Sequence, residues 1–363
     1  MAESPSSIQP SNDQPSNDQP SNDQRAAAAV PADRPLRWGI LATGHIAGSF
    51  ARDLALLPDH EVVAAGSRDR TRAQTFLDEH GTPTARAYGS YDELVADPDV
   101  DVVYVASPHS RHLEDALLCL DAGKPVLCEK AMTLDVASGR ELVARARETG
   151  LFLAEAMWMR TNPVIREVKR RVDSGAIGEV GELRAALGFA ADAGVTRLWD
   201  PELGASALLD IGIYPLTFAH LVLGHPHSVT AAGALHARGF DLAGGATLVH
   251  EARGSGGYQP VSSIAWTQLA QSDSTASIAG TDGRIEIDGR FHHPTSFTLV
   301  RGDERERIDV PVTGRGYAHE AEEVAACLRD GRTASALLPL EATLQIQELM
   351  DTILEQIGTH AHR

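Results

Sequence analysis

The sequence predicts an α/β protein, with a doubly wound parallel sheet in its first half and an α+β unit with a large, mostly antiparallel open sheet in its second. Three observations point there. Between residues 36 and 156, short β-branched runs alternate with segments of helical periodicity. After Glu155 the rhythm changes, and from Val180 onward the chain is mostly strands divided by turn residues. Few gaps between those later strands could hold a crossover helix, so antiparallel or mixed pairing is expected. A chain of 363 residues is long enough for two such units, each with its own core. The expected division is a low-complexity tail over 1–34, a first domain over 35–156 and a second over 157–363.

The tail repeats Pro-Ser-Asn-Asp-Gln three times between Gln9 and Gln24. It has almost no apolar surface to offset the entropy of ordering, so it is expected to be disordered. Leu36–Leu41 reads as the first strand, and Ile46, Ala47, Phe50, Leu54 and Leu57 follow at helical spacing. A second strand, Val62 to Ala65, ends at Gly66-Ser67-Arg68, and Asp69 can cap the next helix, which Gly81 stops. Ser90 and Glu93 form a capping box before a short helix. The continuous run Val102 to Ala106 is a strand buried on both faces. Leu113, Ala116, Leu117 and Leu120 mark a helix closed by Gly123. Val126 to Cys128 is a strand, Asp135 to Thr149 a helix, and Leu151 to Ala154 a strand. Asn162-Pro163 opens the next helix. Candidate strands then fall at 182–189, 229–235, 246–252, 263–268, 275–279, 284–287 and 296–300, around an apolar helix near 210–223. Helices over 317–329 and 341–357 end the chain.

Composition excludes several functions. Fifty acidic against 32 basic residues give a formal net charge of −18, the wrong sign for a surface that releases counterions from nucleic-acid phosphates. Runs such as Val102 to Ala106 are too short to span a bilayer, and no apolar h-region opens the chain, so a cytoplasmic protein is expected. Cys119, Cys128 and Cys327 lack CxxC or ligand spacing and read as reduced core residues. His45, His109 and His112 fall on separate turns without ligand spacing, so no metal is expected.

The first strand leads into Gly39-Ile-Leu-Ala42-Thr-Gly44-His-Ile-Ala47-Gly48. Gly44 lets backbone approach a pyrophosphate at a helix N-terminus, where free N–H groups and the dipole favour an anion. Ala42 occupies the place of the first glycine of GxGxxG, which requires an ordinary φ there or a wider turn. The surrounding alternation makes this a Rossmann dinucleotide site rather than a plain strand–helix turn. At the second strand's tip, Ser67 and Arg68 replace the acid that binds a ribose diol, so NADP is expected, with NAD possible. Lys130 stands at the carboxyl end of its strand, where open α/β sheets bind ligands. A cation there can lower the pKa of a substrate hydroxyl or phenol and hydrogen-bond the reacting oxygen; the alternative is a surface pair with Glu129. Asp210 and Tyr214 lie one turn apart if their segment is helical, and a phenol beside a lysine is an acid/base for an alcohol–ketone couple. The other reading is a helix start with Asp210 as cap and Tyr214 as packing, and Pro215 complicates a continuous helix.

Glu129-Lys130, Asp210-x-Gly-x-Tyr214, Ser107-Pro108-His109 with His112, and Glu155-Ala-Met-Trp158-Met-Arg160 resemble the glucose–fructose oxidoreductase/inositol dehydrogenase (Gfo/Idh/MocA) family. Within it, the chain is most similar to the dimeric dihydrodiol dehydrogenase and NADP-linked xylose dehydrogenase branch. Gly280-Thr-Asp-Gly283, Gly316-Tyr-Ala-His-Glu320 and Cys327-Leu-Arg extend the resemblance to everything after about Leu36. It implies hydride transfer between NAD(P) and a sugar, cyclitol or diol. Lys130 then matches the lysine contacting nicotinamide ribose and substrate, Tyr214 the acid/base, and Asp210 the acid orienting the substrate hydroxyl. Gly44, His45, Ile46, Ser67, Arg68, Ser107, His109, His112, Glu129 and Lys130 fall on cofactor-contacting positions, and Trp158, Arg160, Arg197 and Trp199 on the substrate pocket. Ala131 departs from the proline usual after Glu-Lys. Relatives that are NAD-dependent glycosidases or non-catalytic sensors are the alternatives. A sheet face left bare by helices is an expected subunit interface, giving a homodimer or homotetramer.

Overall fold

The computed structural model describes residues 29–252 and 257–360. Residues 1–28, which hold most of the expected tail, lie outside the described residues.

Six strands form the first sheet: β1 (Leu36–Leu41), β2 (His60–Gly66), β3 (Arg86–Tyr88), β4 (Val102–Val105), β5 (Val126–Glu129) and β6 (Leu153–Ala156). All pair in parallel in the order β3-β2-β1-β4-β5-β6. β3 has only three residues and escaped the strand pattern. The helices between them are α1 (His45–Leu54), α2 (Arg70–His80), α3 (Tyr91–Val95), α4 (His112–Asp121) and α5 (Val136–Thr149). Period-2 alternation divides the strand side chains between two cores. Trp38, Ile40 and Tyr104 face α1, where Phe50 stacks on Tyr104 at 4.0 Å, while Leu41, Val103 and Val105 face Cys119 of α4 and Leu142 of α5. All three cysteines are buried and free. Asp69 Oδ1 caps α2 by accepting the Thr71 N–H (2.9 Å). Ser90 Oγ accepts the Glu93 N–H, but Glu93 reaches back to the Gly89 N–H and not to that of Ser90, so the capping box is displaced by one residue.

Beyond α6 (Pro163–Asp173) the chain builds an eight-stranded sheet from β7 (Val180–Gly188), β8 (Pro226–Leu235), β9 (Asp241–His250), β10 (Val261–Thr267), β11 (Ala276–Gly280), β12 (Arg284–Ile287), β13 (Ser296–Arg301) and β14 (Glu304–Asp309). Their order is β14-β13-β12-β11-β7-β10-β9-β8, antiparallel except for β7 against β10. β14 was not foreseen because its Glu-Arg-Glu-Arg run has no apolar alternation. α7 (Ile213–Leu223) covers one face of this sheet. Two helices return to the first sheet's flank: α8 (Tyr317–Arg329) packs on α1, and α9 (Leu340–Gln356) packs on α5. The stretch Pro201–Leu223 is long and apolar enough to cross a membrane, but 94% of its most apolar window is buried inside the fold, as for a core helix.

Candidate active site

A cleft of about 460 Å³ opens at the carboxyl ends of β1, β2, β4 and β5. It gathers Gly44, His45, Ile46, Ser67, Arg68, Ser107, His109, His112, Glu129, Lys130, Arg197 and Asp210, all expected from the sequence at cofactor, catalytic or substrate positions. At its floor β1 turns into α1. Ala42 there has φ 70°, which corrects the expectation of an ordinary φ: the tight turn needs the left-handed conformation, and alanine adopts it. A Cβ on Gly44 would meet nothing within 4 Å, so space stands open over the start of α1. That helix has no side-chain cap and no acidic residue in its first turn, which leaves its amides free for an anion. Exposed Arg68 and Arg72 line the end beyond β2, and among the described residues the lining carboxylates are Glu129 and Asp210, away from that tip. Ser107 Oγ is buried there without a partner among the described residues. Free amides, two guanidiniums and an unpaired hydroxyl fit a phosphorylated dinucleotide.

At the other end stands Lys130. Its Nζ donates to the Asp210 carbonyl oxygen, lies 3.4 Å from Asp210 Oδ1, and sits 5.1 Å from the centre of the Tyr214 ring. Four side chains hold the backbone around it. Glu129 Oε2 accepts the Lys130 N–H (3.1 Å) and Glu155 Oε1 that of Met132 (3.0 Å). His109 Nε2 and His112 Nδ1 lie 3.1 and 2.8 Å from the carbonyl oxygens of Lys130 and Ala131. The Lys130–Ala131 peptide bond is cis. Glu129 also takes a hydrogen bond from the Tyr104 hydroxyl, so its carboxylate is committed to the protein. Burial pushes the Glu129 and Glu155 carboxyls up, and pushes the His109 imidazole down to about 3 with help from His112 and Lys130.

Asp210 lies in a π-helical turn, Leu208–Gly212, that runs into α7. The predicted continuous helical face is therefore interrupted, yet Asp210 and Tyr214 both reach Lys130. Pro215 sits just after the π-helical turn passes into α7, where it has no N–H to donate back to that turn. Burial would raise the Asp210 carboxyl, but Lys130 and Arg197 (2.9 Å) outweigh it and hold the group ionised well below the usual carboxylate range. Tyr214 behaves in the opposite way. Its hydroxyl accepts the Trp158 Nε1–H at 2.7 Å, and burial, then Tyr317 and Glu129, push the phenol well above its ordinary value. The expectation that Lys130 lowers this pKa is not met: burial is the largest cause of the shift and it acts upward.

Four expected residues do not line the cleft. Tyr214 and Trp158 stand behind Lys130 in an aromatic group, where Trp158 stacks on Tyr317 (4.2 Å) and His293 (5.2 Å). Arg160 turns away, with Nε donating to the Leu337 carbonyl oxygen, and Trp199 donates to that of Asp192. Sequence reasoning missed Arg72 and Tyr91 at the Arg68 end, and His292, His293 and Tyr317 around Tyr214. Arg72, in the first turn of α2 just past the β2 tip, was findable from its nearness to that tip. The histidine pair arrives on a loop, where no periodicity marks it.

Residues 36–156 match the model of an oxidoreductase family with an NAD-binding Rossmann fold, and residues 165–286 match the GFO/IDH/MocA C-terminal domain. The chain is 40% identical over 334 residues to a trans-1,2-dihydrobenzene-1,2-diol dehydrogenase of Xenopus tropicalis, covering 89% of this chain and 98% of that one. It is 36% identical to a D-xylose 1-dehydrogenase (NADP(+)) of Hypocrea jecorina, covering 89% and 92%. A solved structure of KijD10, a 3-ketoreductase of Actinomadura kijaniata in complex with NADP and TDP-benzene, superposes with a TM-score of 0.78 at 27% identity, covering 89% and 98%.

Proposed function

The chain belongs to the GFO/IDH/MocA oxidoreductase family, and from that membership we propose an NADP-dependent dehydrogenase or reductase acting on the CH–OH group of a sugar, cyclitol or diol. The supporting observation is that Lys130 and Asp210 line one end of a cleft, with the Tyr214 ring packed behind Lys130, while the other end offers the α1 amides, Arg68 and Arg72. Bound NADP supplies or accepts the hydride. Arg68 and Arg72 would hold its 2′-phosphate, the first turn of α1 its pyrophosphate, and Ser107 a ribose or amide group. Lys130 hydrogen-bonds the reacting oxygen, and ionised Asp210 accepts a hydrogen bond from the substrate and keeps the ammonium in place. Arg197 flanks the substrate beside Asp210. Tyr214, protonated at rest, gives its proton to a substrate carbonyl oxygen in reduction and takes one back in oxidation. Trp158 orients that phenol from behind.

Two further readings belong with this one. The outer face of the large sheet carries the small residues Ala186, Ser263, Ala265 and Ser277 around a paired Arg184 and Glu182, and no helix among the described residues covers it, which suits face-to-face packing in a homodimer or homotetramer. Three buried free thiols are in keeping with a cytoplasmic location.

The test is a panel of sugars, inositols and vicinal diols with NADP, following absorbance of the reduced cofactor. Lys130→Ala and Tyr214→Phe are each expected to lower kcat by about 10²–10⁴-fold while NADP still binds. Near-wild-type turnover in either variant would remove that residue from the mechanism.

A further inference from the structure

The loop between β12 and β13 sets a histidine, His292, against the Tyr214 ring. Phe291 anchors this loop: it is fully buried, packs on Phe218 (5.6 Å between centroids) and donates its N–H to the Ser274 carbonyl oxygen (3.0 Å). On the other side, the Pro294 carbonyl oxygen accepts from Asn162 Nδ2. His292 is thereby fixed against the reacting phenol, with ring centroids 4.8 Å from Tyr214, 5.9 Å from Trp158 and 4.5 Å from His293. Its Nδ1 is buried and has no hydrogen-bond partner among the described residues. Burial and the facing His293, Lys130, Arg290 and Arg315 hold the imidazole neutral, so it offers one donor and one acceptor nitrogen. Tyr214 uses one oxygen lone pair on Trp158 and retains its own O–H. Two polar groups with unused hydrogen-bonding capacity therefore stand side by side in an otherwise aromatic enclosure.

We infer that His292 determines specificity by hydrogen-bonding a second substrate hydroxyl, on the carbon next to the one that reacts at Tyr214; this rests on the diol and sugar activity assigned above. A packing histidine would need no such partner, and a site of this kind discriminates strongly because a substrate without the second hydroxyl leaves a buried nitrogen unpaired.

The experiment compares kcat/KM with NADP for matched pairs: trans-cyclohexane-1,2-diol against cyclohexanol, and an aldopentose against its 2-deoxy form. The wild type is expected to prefer the adjacent-hydroxyl member, and His292→Phe, which keeps a ring against Tyr214, is expected to reduce that preference by about 10–100-fold. His292→Leu reads the same ratio through a smaller side chain, should the phenylalanine not be accommodated. An unchanged ratio, with both substrates falling together, would reduce His292 to packing and overturn the inference. A wild type with which none of the diols or sugars supports reduction of NADP would instead sink the activity itself, and this inference with it, so the two failures are distinguishable.

Discussion

Ala42 sits in the left-handed region beside the cofactor cleft, at a turn where glycine pays no steric penalty. That conformation costs an L-residue about 1–2 kcal/mol, and glycine's freer unfolded chain returns about 0.4–1 of it, so Ala42→Gly is expected to gain about 1 kcal/mol. The urea midpoint measures it; a loss would mean that the alanine methyl makes contacts worth more than the strain. The raised Tyr214 pKa sets the pH behaviour. Because the phenol is protonated at neutral pH, oxidation, which needs the phenolate, should accelerate as pH rises into the alkaline range. Reduction should hold across neutrality and fall at the same high pH. Tyr214→Phe should abolish both limbs, and a surviving alkaline limb would assign it to another group. Arg68 and Arg72 act as charges at the β2 tip. Arg68→Ala is expected to lower kcat/KM for NADP by about 10–100-fold with little change for NAD, since charge-assisted hydrogen bonds contribute about 1.5–3 kcal/mol.

Elements communicate with the site through caps. Asp53 near the end of α1 accepts the N–H groups of Arg315, Gly316 and Tyr317, which open α8. Tyr317 stacks on Trp158, and Trp158 holds the Tyr214 hydroxyl. Asp53→Ala leaves three N–H donors unpaired, two of them buried, and removes an anion from a helix N-terminus, an expected loss of about 3 kcal/mol. Thermal or urea unfolding would register it, together with a fall in kcat as the aromatic stack loosens. Wild-type stability in this variant would show that the cap is replaceable. The π-helical turn at Leu208–Gly212 is the other element that matters here, because it brings Asp210 to Lys130 just ahead of the regular helix. The apolar run near 210–223 announced a helix but not this extra residue ahead of it, since a segment buried on nearly every side has no polar face whose phase an added residue could shift.

At the scale of the molecule, the large sheet buries one face under α7 and leaves the other bare, as β10 shows by its strict alternation of buried and exposed residues. A native mass at a multiple of the chain mass is the expected result of sedimentation or light scattering. Ala265→Arg, placing a charge at the centre of that face, should shift it to the monomer. A monomeric wild type would remove the proposed interface.

The alternation of strands and helices, the glycine turn, Ser67-Arg68 at the β2 tip and Lys130 at the end of β5 were all legible in the sequence, because each depends on local spacing or on a strand end that topology always turns toward the ligand. The conformation of Ala42, the direction of Arg160 and Trp199, the protonation of Tyr214 and the presence of His292 beside it were not. Those depend on which groups fold against one another from segments dozens of residues apart, and on how completely that packing excludes water. Only the assembled tertiary structure decides such matters, because desolvation and loop placement are properties of the whole enclosure and not of any stretch of chain.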